Sequence, residues 1–215
     1  MHAPEVVTQL VEWTPFLAGG FIWNIAISLA AMSLGTVAGS VLAAWRMSPR
    51  AALARTGAGA TELMRNVPTF VFQFYLVFML PGAFELPGGI GSIPLPAWLK
   101  ASLALALAVA GFVSDNLLRA RHAWREGQHH EALLFIANWG NFFVIVVMAS
   151  STASVIGVPE LVSRCNTVIA AAGKTDMMLW VYLYAMAWFF LFCYSITVLI
   201  RTLSRHAGRR IVPRV

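Results

Sequence analysis

The chain has few charged residues. Asp, Glu, Lys and Arg make up 11% of its 215 residues, whereas a water-soluble domain carries about 25%. Hydrophobic residues make up 59%, and the mean hydropathy is +0.73. Because this number of charges is too small to solvate a globular surface, the composition excludes an ordinary soluble domain. It indicates an integral membrane protein. The length suits one transmembrane domain over residues 1–215.

The chain also has few residues of the kinds that build metal or disulfide sites. Cys165 and Cys193 are its two cysteines, and they form neither a disulfide framework nor a metal-binding spacing. The segment His122–Glu131 holds histidines and acids but no H-E-x-x-H spacing, so we interpret it as a solvated connection. Met1–Trp13 lacks the basic region of a signal peptide, so we expect no cleaved leader. We predict no metal, no cofactor and no catalytic residue in this chain.

Five uncharged or nearly uncharged stretches are present instead. A membrane-crossing helix needs about 20 apolar residues, and we predict five such helices in an all-α membrane protein. The predicted spans are residues 19–44, 67–84, 99–118, 132–149 and 177–200.

Basic residues alternate between the connections of these spans. The N-terminal segment and the Pro/Gly-rich second connection before Lys100 have none, and Arg164 and Lys174 in the fourth connection are offset by Glu160 and Asp176. The first and third connections and the tail hold Arg46, Arg50, Arg55, Arg65, Arg119, Arg121, Arg125, Arg201, Arg205, Arg209, Arg210 and Arg214. Cytoplasmic loops accumulate Lys and Arg, which predicts an external N-terminus and an internal C-terminus. The net charge of +6 therefore indicates anionic lipid rather than nucleic acid.

The fourth span carries an unusual number of polar residues. Asn138 and Asn141 lie within it, and a hydroxyl-rich segment follows from Ser150 to Ser154. Unpaired amides and hydroxyls in hydrocarbon cost roughly 2–7 kcal/mol each, so they indicate a polar cavity or a helix interface. Back-bonding of the hydroxyls to their own helix is the alternative for some of them. Gly157 and Pro159 are expected to break the helix.

Two further features of the spans are candidates for function or packing. Asp115 near the end of the third span is either a functional intramembrane carboxylate or half of an ion pair with Arg119, one helical turn away. Gly35 and Gly39 form a G-x-x-x-G pattern, which predicts a close helix–helix contact, either internal or between subunits.

Three stretches resemble the permease subunits of polar amino-acid ABC importers. Arg65-Asn66-Val67-Pro68 is similar to the R-G-T-P segment of that family, and Asp115–Gln128 to its acidic helix ending in G-Q. Gly140–Asn141 followed by Ser150–Leu161 is similar to its G-N … K-D-T-S-L-V-S-V-I-G … E-L stretch. Together they cover most of the chain between Trp23 and Arg201.

The resemblance implies a role and partners. The chain would be one half of a type I ABC importer channel in a bacterial inner membrane, working by alternating access. Its partners would be a second permease, two cytoplasmic ATPase subunits that bind ATP and Mg, a periplasmic solute-binding protein and the lipid bilayer. The implied substrate pathway comprises Asn141, Ser150, Ser151, Thr152 and Ser154, with Asp115 and Gln73 as additional candidates. The implied ATPase-facing loop comprises Arg119, Arg121, Arg125, Glu126, Gly127, Gln128 and Glu131.

Two departures from the family pattern qualify that role. The family's Lys-Asp pair falls on Met148 and Ala149, so we expect a passive half of a heterodimer or a less polar solute. Between Gln128 and Asn141, about twenty residues that would form the ATPase-coupling helix are absent, which is far beyond ordinary loop variation. Two other functions stay open: a non-transporting scaffold or regulator of the same fold, and a small secondary transporter.

Overall fold

The structure is a computed structural model that describes residues 3–85, 91–173 and 176–211, with the side chains at 3–5, 130 and 205–211 left aside. The helices of this part are α1 (Ala3–Arg46), α2 (Ala51–Asn66), α3 (Thr69–Met79), α4 (Ala97–Arg125), α5 (His129–Ala149), α6 (Leu161–Ala172) and α7 (Asp176–Ile211). An antiparallel hairpin of β1 (Ala83–Glu85) and β2 (Ser92–Pro94) connects α3 to α4. A 3₁₀ segment, Ser150–Ile156, extends α5. The fold is helical, as predicted; Lys174 and the side chains of the tail arginines after Arg201 lie outside the described part.

Within the described residues, four helices are long and apolar enough to cross a membrane. They comprise Val6–Arg46, Ala97–Arg125, Glu131–Ile156 and Asp176–Ser204, and they contain the first, third, fourth and fifth predicted spans. The first helix begins well before the predicted residue Gly19. Pro15 lies inside this helix. A proline in a helix interior removes one backbone hydrogen bond, and here the helix continues past it.

The second predicted span is shorter than expected. Its helix, α3, has 11 residues, about 16 Å at 1.5 Å per residue, and cannot cross a hydrocarbon core of about 30 Å alone. Pro68 lies at its N-cap, and the chain is extended at Leu80 before the hairpin. The predicted span included Phe84, which lies in β1.

Helices α2 and α3 together run antiparallel to α4. The hydroxyls of Thr61 in α2 and Ser114 near the end of α4 are hydrogen-bonded at 2.9 Å. At the other end of the pair, the ammonium of Lys100 near the start of α4 donates to the Leu80 carbonyl after α3 at 2.8 Å. The two shorter helices therefore return the chain along the length of α4, with a break at Val67–Pro68.

The long helices place most of the arginines at one end of the bundle. Helices α1 and α4 are parallel, since Gly35 faces Ala106 and Gly39 faces Ala110. Helix α5 is antiparallel to both, because its ring of Phe142 stacks on Phe112 at 3.9 Å between centroids while Asn138 lies against Asn116. Helix α7 is parallel to α1, with contacts from Thr14–Tyr184 to Phe21–Phe192. The arginine end of the bundle comprises Arg46, Arg65, Arg119, Arg121, Arg125 and Arg201.

The chain therefore passes five times between the two ends: α1, the α2–α3 pair, α4, α5 and α7. The hairpin and α6 lie at the end opposite the arginine end. This agrees with the alternation of basic and neutral connections in the sequence. The number of membrane crossings and the orientation of the termini stay predictions.

Helices α1 and α4 pack closely at two glycines of α1. A Cβ atom on Gly35 would lie 2.4 Å from Val109 Cβ and 2.6 Å from the Ala106 carbonyl oxygen. A Cβ atom on Gly39 would lie 2.6 Å from the Ala110 carbonyl oxygen. The two backbones can approach this closely only because both positions are glycine, so the G-x-x-x-G contact is inside the subunit.

We expect Gly39→Leu to lower the stability of the protein. The added side chain would meet the α4 backbone, which cannot move aside as a flexible side chain could, so the cost should reach or exceed the about 1–3 kcal/mol of an overpacked core. The midpoint of thermal unfolding in detergent measures it. Gly59→Ala is the control, because nothing lies within 4 Å of that Cβ and alanine favours a helix. Equal midpoints for the two variants would contradict the contact.

Candidate functional site

The four predicted hydroxyls after α5 are bonded to their own helix. Ser150, Ser151, Thr152 and Ser154 each place their hydroxyl oxygen 2.7–2.9 Å from the carbonyl three residues earlier. This satisfies each hydroxyl locally. The sequence reasoning allowed such back-bonding for only some of them, and in the structure it applies to all four. Their role in a substrate pathway stays a prediction.

Thr152 also contacts Gln73. Its hydroxyl oxygen lies 2.9 Å from Gln73 Oε1, which brings two predicted pathway residues together although they are far apart in sequence. Gln73 is buried, with 1% of its surface exposed. Among the described residues, its amide nitrogen has no hydrogen-bond partner. The contact joins α3 to the 3₁₀ segment at the end of the bundle opposite the arginines.

A buried polar cluster that sequence reasoning missed holds the same segment to α1. The amide nitrogen of Asn24 donates to Ser150 Oγ and to Glu160 Oε2, each at 2.9 Å. Its amide oxygen accepts the backbone N–H of Leu161 at 3.1 Å. All three side chains are fully buried. Asn24 lies inside the uncharged first span, and that lone amide was the available signal.

Glu160 also caps helix α6. Its carboxylate accepts the backbone N–H groups of Val162 and Ser163 at 3.0 and 2.8 Å, which satisfies two donors of the first turn. Burial raises the pKa of this carboxyl, while the hydrogen bonds from Asn24 and the two amides oppose the rise. The cluster therefore fixes the 3₁₀ segment between α1 and α6.

Asp115 is held by two arginines of other helices. Arg46 Nη1 at the end of α1 donates to Asp115 Oδ1 at 2.6 Å, and Arg65 Nη1 at the end of α2 donates to Oδ2. Among the described residues these are its ion-pair partners, so the predicted pair with Arg119 is wrong. The residue spacing along α4 could not identify Arg46 and Arg65 as the partners of Asp115, because both arginines belong to other helices. The arrangement favours a structural role for Asp115.

A polar cleft opens between α4, α5 and the end of α2. It consists of two adjoining hollows of about 310 and 330 Å³ that share Asn116, Arg119 and Asn138. The first hollow is also lined by Arg65, Asp115, Asn141, Phe112, Phe142 and Ile145, and the second by Glu131, Ala120, Ala123, Leu134 and Phe135. The cleft thus contains two predicted pathway residues, Asn141 and Asp115, at the arginine end.

An apolar groove lies on the other side of the same two helices. It measures about 530 Å³, and its lining includes Arg121, Trp124, Arg125, Ala132 and Ile136. The residues predicted to face the ATPase are therefore divided. Arg119 and Glu131 line the polar cleft, whereas Arg121 and Arg125 line the apolar groove.

The connection between α4 and α5 is very short. Helix α4 ends at Arg125 and α5 begins at His129, so Glu126, Gly127 and Gln128 form the whole turn. Gly127 has φ +77°, a left-handed conformation that glycine adopts without strain. No helix lies between α4 and α5 in this described segment.

Comparison with known proteins identifies relatives of one kind. No protein-family model matches the chain. It is 23% identical over 96% of its length to the L-cystine transport system permease protein TcyB of Bacillus subtilis (strain 168), of which the match covers 92%. It is 26% identical over 78% of its length to the octopine transport system permease protein OccQ of Rhizobium meliloti, with 80% of that protein covered.

A solved structure has the same fold. The chain superimposes on a crystal structure of an amino acid ABC transporter with histidines, with a TM-score of 0.75 and 18% identity. The match covers 92% of this chain and 96% of that one. Together with the curated relatives, this confirms the resemblance to permeases of amino-acid ABC transporters.

We expect Asp115→Asn to destabilise the protein. The substitution leaves Arg46 and Arg65 without their carboxylate, and because 48% of the Arg65 side chain is exposed we expect about 1–3 kcal/mol rather than the larger cost of a buried pair. Thermal unfolding in detergent measures the loss. The matched control is Glu62→Gln, whose exposed carboxylate accepts a hydrogen bond from Asn66, one turn along the same helix. An unchanged midpoint for Asp115→Asn would show that the two arginines do not hold α4.

Proposed function

We propose that this chain is a permease subunit of an ABC importer that moves amino acids or similar small polar solutes across a bacterial inner membrane. The observation that carries the proposal is the match of nearly the whole chain to such permeases in both sequence and fold. A chain that shared only short motifs with these permeases would not superimpose on such a structure over 92% of its length. The chain itself would carry no catalytic residue, since ATP hydrolysis would take place on separate subunits.

The names of the relatives support the solute class. The permeases that match are named for L-cystine, octopine and glutamate/aspartate. Each of these compounds carries at least one carboxylate beside an amino or imino group. We infer a solute of the same chemistry, delivered by a solute-binding protein on the outer face.

The proposed topology assigns the arginine end to the cytoplasm. In the described part of the chain, four helices meet the length and hydropathy of a membrane span. Helix α3 and the last turn of α2 would make the remaining crossing as a broken segment. Broken helices are tolerated at membrane depth where they pack against protein, and α2–α3 packs along α4. The polar cleft would then open inward, and the cluster around Asn24 would lie near the outer face.

The partner permease would carry the functions that this chain lacks. By the sequence resemblance, the charged pair of the family falls on Met148 and Ala149, and 49% of the Met148 surface is exposed. The three-residue turn between α4 and α5 supports the expectation that a coupling helix is missing from this segment. We therefore infer a heterodimer in which the other permease couples to the two ATPase subunits and this chain follows its movement.

The same short turn supports a second candidate function. A subunit without a coupling helix could serve as a non-transporting scaffold or regulator of the complex. The two functions differ in whether solute passes along α5. Transport that continues when α5 is blocked would favour the scaffold.

We expect the tagged chain to co-purify from native membranes with an ATP-hydrolysing subunit and a second permease. Proteoliposomes of that complex, supplied with the solute-binding protein, should accumulate a radiolabelled amino acid only when ATP and Mg are present. The measurement is uptake with ATP against uptake with ADP. A stable monomer that captures neither partner would contradict the proposal, and uptake driven by a proton gradient without ATP would favour a secondary transporter.

We expect Ser151→Trp to abolish uptake without preventing assembly of the complex. The indole would project from the 3₁₀ segment into the proposed pathway, whereas the serine hydroxyl it replaces is satisfied by its own helix. Ser195→Trp is the control, because Ser195 is exposed on α7 and its hydroxyl is likewise bonded to its own helix. Normal uptake by Ser151→Trp would remove the end of α5 from the pathway.

A further inference from the structure

We propose that the polar cleft is a binding site for the carboxylate of an amino acid, and that Arg119 is the residue that recognises it. This rests on the proposed function and names the chemistry that the inner end of the pathway selects. The site differs from the positions of the family's charged pair, which fall on Met148 and Ala149 here. It also differs from the hydroxyl segment, whose members are bonded to their own helix.

The charges of the cleft leave a cation free. Asp115 is the one carboxylate lining the first hollow, and both of its oxygens are already bound by Arg46 and Arg65. Arg119 lines both hollows and is exposed. Among the residues that the structure describes, it makes no ion pair. The first hollow therefore holds two arginines, with a third behind them, against one carboxylate.

The amides around Arg119 complete a site for a planar anion. Asn116, Asn138 and Asn141 line the first hollow beside it. Asn116 donates to the Phe112 carbonyl at 2.9 Å. Asn141 is exposed, and within the described part of the chain none of its hydrogen bonds goes to another side chain. A guanidinium binds a carboxylate through two parallel hydrogen bonds, and a neighbouring amide can donate another.

The second hollow adds a carboxylate to the cleft beside Arg119. Glu131 in the first turn of α5 is its acidic residue, and no described ion pair involves it. Because Arg119 lines both hollows, a solute bound there could place its carboxylate on Arg119 and its ammonium toward Glu131. The cleft therefore fits a zwitterionic amino acid better than a simple anion. Each hollow, at about 310–330 Å³, has room for one such molecule.

The test compares pairs of probes that differ by one carboxylate. The full chain in nanodiscs is titrated with L-histidine and histamine, and with L-glutamine and 4-aminobutanamide, by equilibrium dialysis of the radiolabelled compounds. We expect at least one carboxylate-bearing probe to bind ten-fold or more tightly than its decarboxylated partner. Arg119→Gln should reduce that ratio to within two-fold of one, because a hydrogen bond between charged groups is lost.

The control is Arg55→Gln, which removes an exposed arginine from α2 outside the cleft lining. It should leave the ratio within two-fold of the unmodified chain, and Arg119→Lys should retain part of the preference. The proposal is overturned if the unmodified chain shows no carboxylate preference for either pair. It is also overturned if Arg119→Gln weakens both members of a pair equally, or if phosphatidylglycerol in the nanodisc, rather than the amino acid, accounts for the effect of Arg119.

This test is independent of transport. Binding to the chain alone requires neither the ATPase nor the second permease, so a complex that fails to transport would count against the proposed function only. Conversely, a complex that transports with an unchanged KM in Arg119→Gln would leave the permease role intact and refute the carboxylate site. Assembly and basal ATP hydrolysis of Arg119→Gln separate a solute contact from an ATPase contact, because only the latter would lower both.

Discussion

The rest of the bundle depends on the direct approach of two backbones, those of α1 and α4. In a bilayer the lipid tails are as apolar as the side chains, so helices associate through close packing and hydrogen bonds rather than through exclusion of water. Gly35 and Gly39 remove the side chains that would separate α1 from α4. This parallel pair brings the end of α1 beside the second half of α4, where Arg46 meets Asp115.

Two polar attachments then fix the elements around that pair. At the arginine end, the ion pair between Asp115 and Arg65 holds the end of α2 against α4. At the opposite end, Asn24 ties α1 to both the 3₁₀ segment and α6 through Ser150 and Glu160. Each attachment replaces the hydration of buried polar groups with specific partners, which is the condition for placing them inside a membrane protein. The polar cleft lies between α4 and α5 at the first of these ends.

The sequence was sufficient to predict features that depend on residues close together in the chain. Apolar length located four of the helices, and the spacing of Gly35 and Gly39 identified a contact surface. The sequence was not sufficient to predict interactions between residues that lie far apart in the chain. Arg46 and Asp115 lie 69 positions apart, so helix spacing suggested the nearer Arg119 instead. The length of α3 could not be judged from an apolar run, because a run that ends in a hairpin has the same composition as one that continues as a helix.

The candidate site shows the same division. The high density of hydroxyls at the end of α5 predicted a polar cavity or a helix interface. Hydroxyls can also hydrogen-bond to the backbone of their own helix, and composition does not distinguish these two arrangements. The cleft depends on Arg119, Asn138 and Asn141 facing one another across two helices. That arrangement follows from the tight turn at Gly127, which aligns α4 with α5 in antiparallel register.

The central claim is that the arginine end of the bundle, which comprises Arg46, Arg65, Arg119, Arg121, Arg125 and Arg201, faces the cytoplasm together with the polar cleft. Labelling of single cysteines with a membrane-impermeant maleimide tests it most directly, at Gly59→Cys on α2 and Ser92→Cys in the hairpin. The native Cys165 and Cys193 are buried and should contribute little background. If the arginine end faces the cytoplasm, position 92 reacts in intact cells, while position 59 reacts only in inverted vesicles. The reverse pattern, or labelling of both positions from one side, would contradict it.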